Sequence, residues 1–171
     1  MSYNPKIYSA SKIWHAEKWL KLRDKENFNI ISKWINIPCG TQENPTGAKK
    51  LSNLQKRQLW TSCAKEVKHA DLLVAYTEEG ENQRGVLVEI GGALSSETPV
   101  YLMGDCASFR VCEHSDVAFV HHPLFHRIVS QDYTLGYYEA VNHWNQTFGI
   151  KHALLHRYLA SRQKENRKIF L

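Results

Sequence analysis

Apolar and polar positions follow two rhythms along this chain, and the rhythm changes several times. Lys6-Ile7-Tyr8-Ser9-Ala10 is a short strand-like run directly after Pro5. Ser11 is placed to cap a helix, and Ile13, Ala16, Trp19, Leu20 and Arg23 then recur at helical spacing, which predicts a helix with one apolar face to about Lys25. Phe28 to Trp34 is rich in β-branched and aromatic residues and predicts a second strand. Residues 36–50 carry Pro38, Gly40, Asn44, Pro45 and Gly47, a connection long enough to serve as a lid or binding loop. A helix is predicted from about Ser52 to His69, with Leu59, Trp60, Cys63 and Val67 on one side.

The second half repeats the alternation. Asp71-Leu72-Leu73-Val74-Ala75-Tyr76 is continuously apolar after its Asp, as a strand covered on both faces must be. Thr77 to Arg84 is a polar loop around Gly80, in which Glu78, Glu79 and Glu81 read as solvated. A helix follows from about Gly85 to Ser95, then a buried strand over Thr98 to Met103 closed by Gly104. Val117 to Val120 is predicted as a fifth strand, Asp132 to Thr147 as a helix, and residues 150–165 as a last, basic helix. Strands and helices in this alternation predict an α/β fold, a parallel sheet with helices on both faces. With 171 residues the chain is expected to form one domain over 1–171, its C-terminal helices starting near 130. Such sheets bind ligands beyond the carboxyl ends of their strands, near the point where strand order reverses. That singles out Ser9–Lys12, Thr77–Arg84 and Gly104–Arg110.

Charge and cysteine content narrow the picture only slightly. The net charge of +5 is concentrated toward the two ends, as in Lys18, Lys21, Arg23 and Lys25 and in Arg162, Lys164, Arg167 and Lys168. It could attract a phosphorylated small molecule, but no basic stripe is interleaved with aromatics, so nucleic acid is not the expected partner. No apolar run approaches the ~20 residues that span a bilayer, which sets a membrane aside. The opening residues lack the apolar core of a signal peptide, and a cytoplasmic, reducing location is expected. Cys39, Cys63, Cys106 and Cys112 then read as free thiols. Cys106 and Cys112, with His114, His121, His122 and His126, lack the close cysteine pairs of structural zinc sites, so no metal is expected.

The chemistry concentrates in Arg84-Gly85-Val86-Leu87-Val88-Glu89-Ile90-Gly91-Gly92-Ala93-Leu94. Leu87, Ile90 and Leu94 are expected to pack on the sheet, and Glu89 interrupts an apolar series. A carboxylate in that setting needs partners or a raised pKa. Gly91 and Gly92, each costing roughly 1 kcal/mol relative to Ala in a helix, predict close approach by another element or a ligand. On spacing alone Glu89 reads equally well as a negative charge placed near its own helix N-terminus.

The residues around this stretch resemble the nucleoside 2-deoxyribosyltransferase-like superfamily. Ala70-Asp71 heads a strand, Gly85 to Glu89, Gly91 and Ala93-Leu94 match its Gly-x-x-x-Glu-x-Gly-x-Ala-Leu pattern, Pro99-Val100-Tyr101-Leu102 matches the next strand, and Lys6 to Ala10 matches the first. The resemblance covers roughly residues 6–104. It implies a flavodoxin-like doubly wound sheet in three α/β/α layers, with Glu89 as the nucleophile and Tyr8 holding its carboxylate. It further implies a nucleoside or nucleotide as small-molecule substrate, no cofactor, and a homo-oligomer in which a neighbouring subunit completes the pocket. Ser9, Ser11 and Lys12 would hold the polar end of the substrate, Gln83 would touch the sugar or phosphate, and Gly85 and Cys63 are further substrate-binding candidates. A carboxylate beside a glycosidic C–N bond stabilises the oxocarbenium-like state and can form a covalent glycosyl intermediate. Two positions depart from the pattern. Gln83 stands six residues before Glu89 where the transferases have an aspartate on the sugar, and Cys63 stands eight before Asp71 where they have another, on the base. General acid catalysis is typically worth about 10²–10⁴ in rate. The sequence therefore predicts an N-glycosidic hydrolase or transferase acting on a nucleoside, nucleotide or dinucleotide through a glutamate nucleophile, with a nucleotide-sensing module that does not turn over as the alternative.

Overall fold

Four short segments, three of them mainly apolar, form four parallel strands: β1 (Ile7–Ala10), β2 (Leu72–Thr77), β3 (Val100–Gly104) and β4 (Phe125–Arg127), hydrogen-bonded in that order. The computed structural model describes residues 4–37, 51–105, 118–130 and 132–150. Every residue of β1 and β2 is buried, as continuous apolar runs between two helical layers require. Ile7 pairs with Leu72 and Ala10 with Ala75, so the carboxyl ends of β1 and β2 lie side by side. Asp71 sets this register from the other end, its Oδ2 accepting the Lys6 N–H at 2.7 Å.

On the outer side of β1, Ile30 forms a single parallel bridge to Ile7. Counting it, the order across the sheet in chain sequence is 2-1-3-4-5, the doubly wound arrangement whose reversal falls between β1 and β2. The predicted strand over Phe28 to Trp34 is thereby corrected to one rung, followed by a 3-10 turn at Lys33–Asn36. The predicted fifth strand at Val117 to Val120 is also displaced. Ala118–His121 is a 3-10 turn and the strand is β4, after Pro123. Phe119 and Val120 pack against the core from that turn, so their apolarity reflects burial and not pairing.

Helix α1 (Ala16–Lys25) ends where the sequence predicts but starts later, behind a 3-10 turn at Ile13–His15. Ser11 does not cap it; its Oγ accepts from the Trp19 indole at 2.8 Å and donates to the Lys12 carbonyl at 3.1 Å. Helix α2 (Asn53–His69) begins with a capping box between Ser52 and Gln55, satisfying two otherwise orphaned N–H groups. Helix α3 (Arg84–Ser95) buries Val86, Ile90 and Ala93, while Leu87 is 42% exposed, so the expected face is rotated by one residue. Helix α4 (Tyr133–Trp144) is capped by Asp132 and runs on through a π-helical turn at Asn145–Gly149.

The helices form two layers. The Trp19 ring of α1 meets Tyr76 of β2 and Tyr137 of α4, which puts α1 and α4 on one face. Helices α2 and α3 pack together on the other. No helix among the described residues is long and apolar enough to cross a membrane. Cys39, Cys106, Cys112, His114, residues 38–50 of the predicted long connection and residues 151–165 of the predicted last helix lie outside the described residues.

Candidate active site

Side chains alternate between the faces of a strand, so neighbours on β1 serve different layers. Tyr8 points toward α2 and α3, where its hydroxyl donates to Glu89 Oε1 at 2.6 Å. Ser9 points the opposite way, its Oγ 3.1 Å from the Tyr137 hydroxyl in the core. Tyr8 and Ser9 therefore cannot share one cavity, and the structure does not bring Ser9 to Glu89.

Glu89 stands on the second turn of α3, half-buried, with Tyr8 beneath it and Cys63 of α2 across from it. Burial pushes its carboxyl up to about 7; the Tyr8 hydrogen bond opposes that shift and the nearby Glu66 adds to it. Burial likewise pushes the Tyr8 phenol far above its usual range, with Glu89 and Cys63 adding to the rise. Tyr8 is thus a fixed donor near neutral pH. Burial lifts the Cys63 thiol to about 11, so it stays protonated and is no candidate nucleophile.

A cavity of about 200 Å³ opens at this carboxylate. Ser11 and Ile13 wall it from the end of β1, Trp34 from the 3-10 turn, Leu59, Trp60 and Cys63 from α2, and Gly85 and Val86 from α3. A Cβ on Gly85 would lie 3.8 Å from the Trp60 ring, an ordinary contact, so the glycine leaves room without being sterically obligatory. Trp60 is 48% exposed at the rim. A second cavity, about 260 Å³, lies between α2 and α3 and shares only Trp60 and Glu89 with the first.

Of the residues singled out by sequence, Tyr8, Glu89, Cys63, Ser11 and Gly85 come together here. Lys12 does not line the cavity; its Nζ sits 5.5 Å from the Trp14 ring centre. Gln83 is buried at the foot of α3, its Nε2 donating to Thr77 Oγ1 at 2.9 Å and to Glu81 Oε2 at 2.7 Å. The Glu81 oxygen requires a donor, which fixes the amide orientation and leaves Gln83 Oε1 buried without a partner.

Glu81 corrects the expectation of a solvated acidic loop. Its side chain is fully buried. Oε1 accepts from Trp14 Nε1 at 2.7 Å and from His15 Nε2 at 2.9 Å, and Oε2 from the Glu78 N–H at 2.8 Å and Gln83. Glu78 is partly exposed and paired with Lys18 Nζ at 2.7 Å. Ligand atoms of His15, Glu78 and Glu81 lie within 4.8 Å of one another. The four donors already on Glu81 account for the cluster as a hydrogen-bond hub that ties the loop to the 3-10 turn before α1.

Trp34, Ile13, Leu59 and Val86 are cavity residues that the motif did not supply. The available signal was that Leu59, Trp60 and Cys63 share one face of α2. No protein-family model matches the chain, and no curated protein matches it. Among solved structures it is similar to a 2-deoxyribosyltransferase from the psychrotolerant bacterium Bacillus psychrosaccharolyticus, 18% identical, with a TM-score of 0.44 over 58% of this chain and 72% of that one.

Proposed function

We propose that the protein breaks the N-glycosidic bond of a nucleoside, passing the sugar to water or to a second base, with Glu89 as nucleophile. The observation that carries this reading is a desolvated carboxylate held by one short hydrogen bond from Tyr8, on the wall of a sugar-sized cavity at the sheet's reversal point. Tyr8 occupies Oε1 and fixes the rotamer; Oε2 attacks the anomeric carbon as the C–N bond breaks and the base departs with the bonding pair. The glycosyl ester on Glu89 is then opened by water or an incoming base, which restores the carboxylate.

Two features refine the substrate. The cavity walls are mainly apolar and flanked by Trp34 and Trp60, which suits a flat heterocycle beside the sugar. No cation is among the described residues that line it, which favours an unphosphorylated nucleoside over a nucleotide. Gln83 Oε1, buried and unpaired, lies outside the lining of this cavity, so contact between Gln83 and the sugar is not part of the proposal.

A second reading, binding without turnover, is favoured by one observation. Among the described lining residues Glu89 is the sole acid, and the neutral Cys63 thiol is a poor proton donor to a leaving base. Incubation with a panel of nucleosides, nucleotides and dinucleotides, followed by chromatography for free base, separates the two. We expect release of base from nucleosides, an acid limb in kcat/KM near pH 7, and loss of at least about 10³ in rate for Glu89→Ala. Cleavage that survives Glu89→Ala would remove Glu89 from the mechanism; saturable binding with no released base from any substrate would establish the sensor instead.

A further inference from the structure

The way the second strand stops has consequences for the site. The bridge at Ile30 is made by Ile7 N–H donating to the Asn29 carbonyl and Ile31 N–H donating to the Ile7 carbonyl, each at 2.9 Å. A parallel ladder continued by one rung would give Ser9 N–H the Ile31 carbonyl and give the Ser9 carbonyl the Lys33 N–H. Neither bond forms. Ser9 N–H donates instead to Ser32 Oγ at 2.7 Å, and the Ser9 carbonyl accepts from Trp34 Nε1 at 2.8 Å and Ser32 Oγ at 3.3 Å. The Lys33 N–H is turned outward to Glu66 Oε2 on α2 at 3.0 Å, while Glu66 Oε1 accepts from Ser62 Oγ at 2.7 Å.

Side chains thus replace a backbone rung next to Tyr8. This substitution clears space at the carboxyl end of β1, where a full strand would otherwise run, and it delivers the Trp34 ring into the vacated volume as a wall of the Glu89 cavity. Trp34 is 6% exposed and Ser32 1%, so both act inside the core and not as surface caps. Trp34 therefore meets the site twice, through its N–H on the strand and through its ring on the cavity.

We propose that Trp34 is a positioning residue of this site, its indole N–H holding the β1 segment that aims Tyr8 at Glu89 while its ring walls the cavity that Glu89 lines, with Glu66 anchoring the turn that carries it. The inference rests on the reading of Glu89 as the reacting group, but it makes a claim about the free protein that can be measured without substrate.

The test uses the full chain with ¹³Cζ-labelled tyrosine, the Tyr8 signal being assigned by its absence in Tyr8→Phe. That signal reports the phenol's hydrogen bond. Trp34→Phe removes the N–H and keeps a ring. We expect the Tyr8 signal to move in Trp34→Phe toward its position in Glu89→Gln, and kcat on the best nucleoside to fall by about tenfold with KM within about threefold, the signature of lost alignment and not of lost binding. Trp34→Leu, which also removes the wall, should raise KM as well. An unchanged Tyr8 signal in Trp34→Phe, or a rise in KM alone, would reduce Trp34 to a wall and overturn the proposal. A Tyr8 signal that moves in a protein that cleaves no substrate keeps the positioning role and rejects the glycosidase reading. Should Trp34→Phe fail to fold, Ser32→Ala breaks the same substitute rung with a smaller change and carries the same measurement.

Discussion

Two carboxylates flank the start of α3, Glu81 fully buried and Glu89 half-buried, and their surroundings are opposites. Glu81 lies just before the helix and accepts four hydrogen bonds, from Trp14, His15, Gln83 and the Glu78 backbone. Glu89 lies on the second turn and accepts one from Tyr8, with the rest of its carboxylate facing the cavity. A saturated carboxylate has exchanged water for protein donors on every side and is held in place by them. An undersaturated one keeps lone pairs for an incoming group and is desolvated while it waits, which is why burial lifts Glu89 to about 7. Glu81 is the more deeply buried of the two, and among the described residues it has four donors to Glu89's one.

The sharpest break of this contrast is Glu81→Ala. It strands the Trp14 indole, the Gln83 amide, the Glu78 N–H and the buried His15 ring, whose pKa burial pulls down against the pull of Glu81 and Glu78. Removing one partner from a buried polar network costs about 3–5 kcal/mol. Urea unfolding at pH 7 should show that loss with an unchanged m-value. A cost below about 1 kcal/mol would mean that the hub is wet and that the contrast with Glu89 is one of degree.

Glu89→Gln should act in the opposite direction. A carboxyl whose pKa rises from 4.5 in the unfolded chain to about 7 in the fold binds its proton more tightly when native. Between those values the native state holds more protons than the unfolded state, so stability falls as pH rises from about 4.5 to 7 and stays lowered above that. The penalty at pH 8 is about 3 kcal/mol by linkage. Glu89→Gln should abolish this slope and leave the protein more stable than wild type at pH 8, with no gain at pH 4. Denaturant midpoints across that range decide it, and parallel curves for the two proteins would show that Glu89 is not the strained group of the pair.

What the sequence disclosed about these regions follows the range of the interactions involved. Local signals placed α2, whose capping box is Ser52 and Gln55, and the apolar β2 run headed by Asp71. Period-two alternation along β1 was equally available. It sets Tyr8 and Ser9 on opposite faces, and the motif-based grouping of the two overlooked it. Three features depended on tertiary partners and were not legible. The strand at Phe28 to Trp34 has the right residues, but Ser32, Trp34 and Glu66 take its hydrogen bonds. Glu81 sits in a polar loop that only the distant Trp14 and His15 make dry. The packing face of α3 is set by where β2 and β3 lie, and it selected Val86 over Leu87.

The smallest predicted effect concerns the glycine pair just beyond Glu89. A helix interior penalises Gly by about 1 kcal/mol relative to Ala, so two in succession imply a compensating contact if the sequence is read alone. The described residues supply none at Gly91: a Cβ there meets nothing of them within 4 Å, and the residue is exposed and lines neither cavity at Glu89. Gly92 differs, since its Cβ would touch Val67 at 3.6 Å and it borders the second cavity. Gly91→Ala should therefore stabilise the protein by about 0.5–1 kcal/mol, read from the denaturant midpoint, and leave both the Glu81 hub and the Tyr8–Glu89 hydrogen bond unchanged. Because the substitution adds a methyl group to an open helix surface, its sign is diagnostic. Stabilisation means that nothing packs on α3 at this point. A destabilised protein would mean that something beyond the described residues covers Gly91 at close range, and the face of α3 beyond Glu89 would then have to be counted as part of the site.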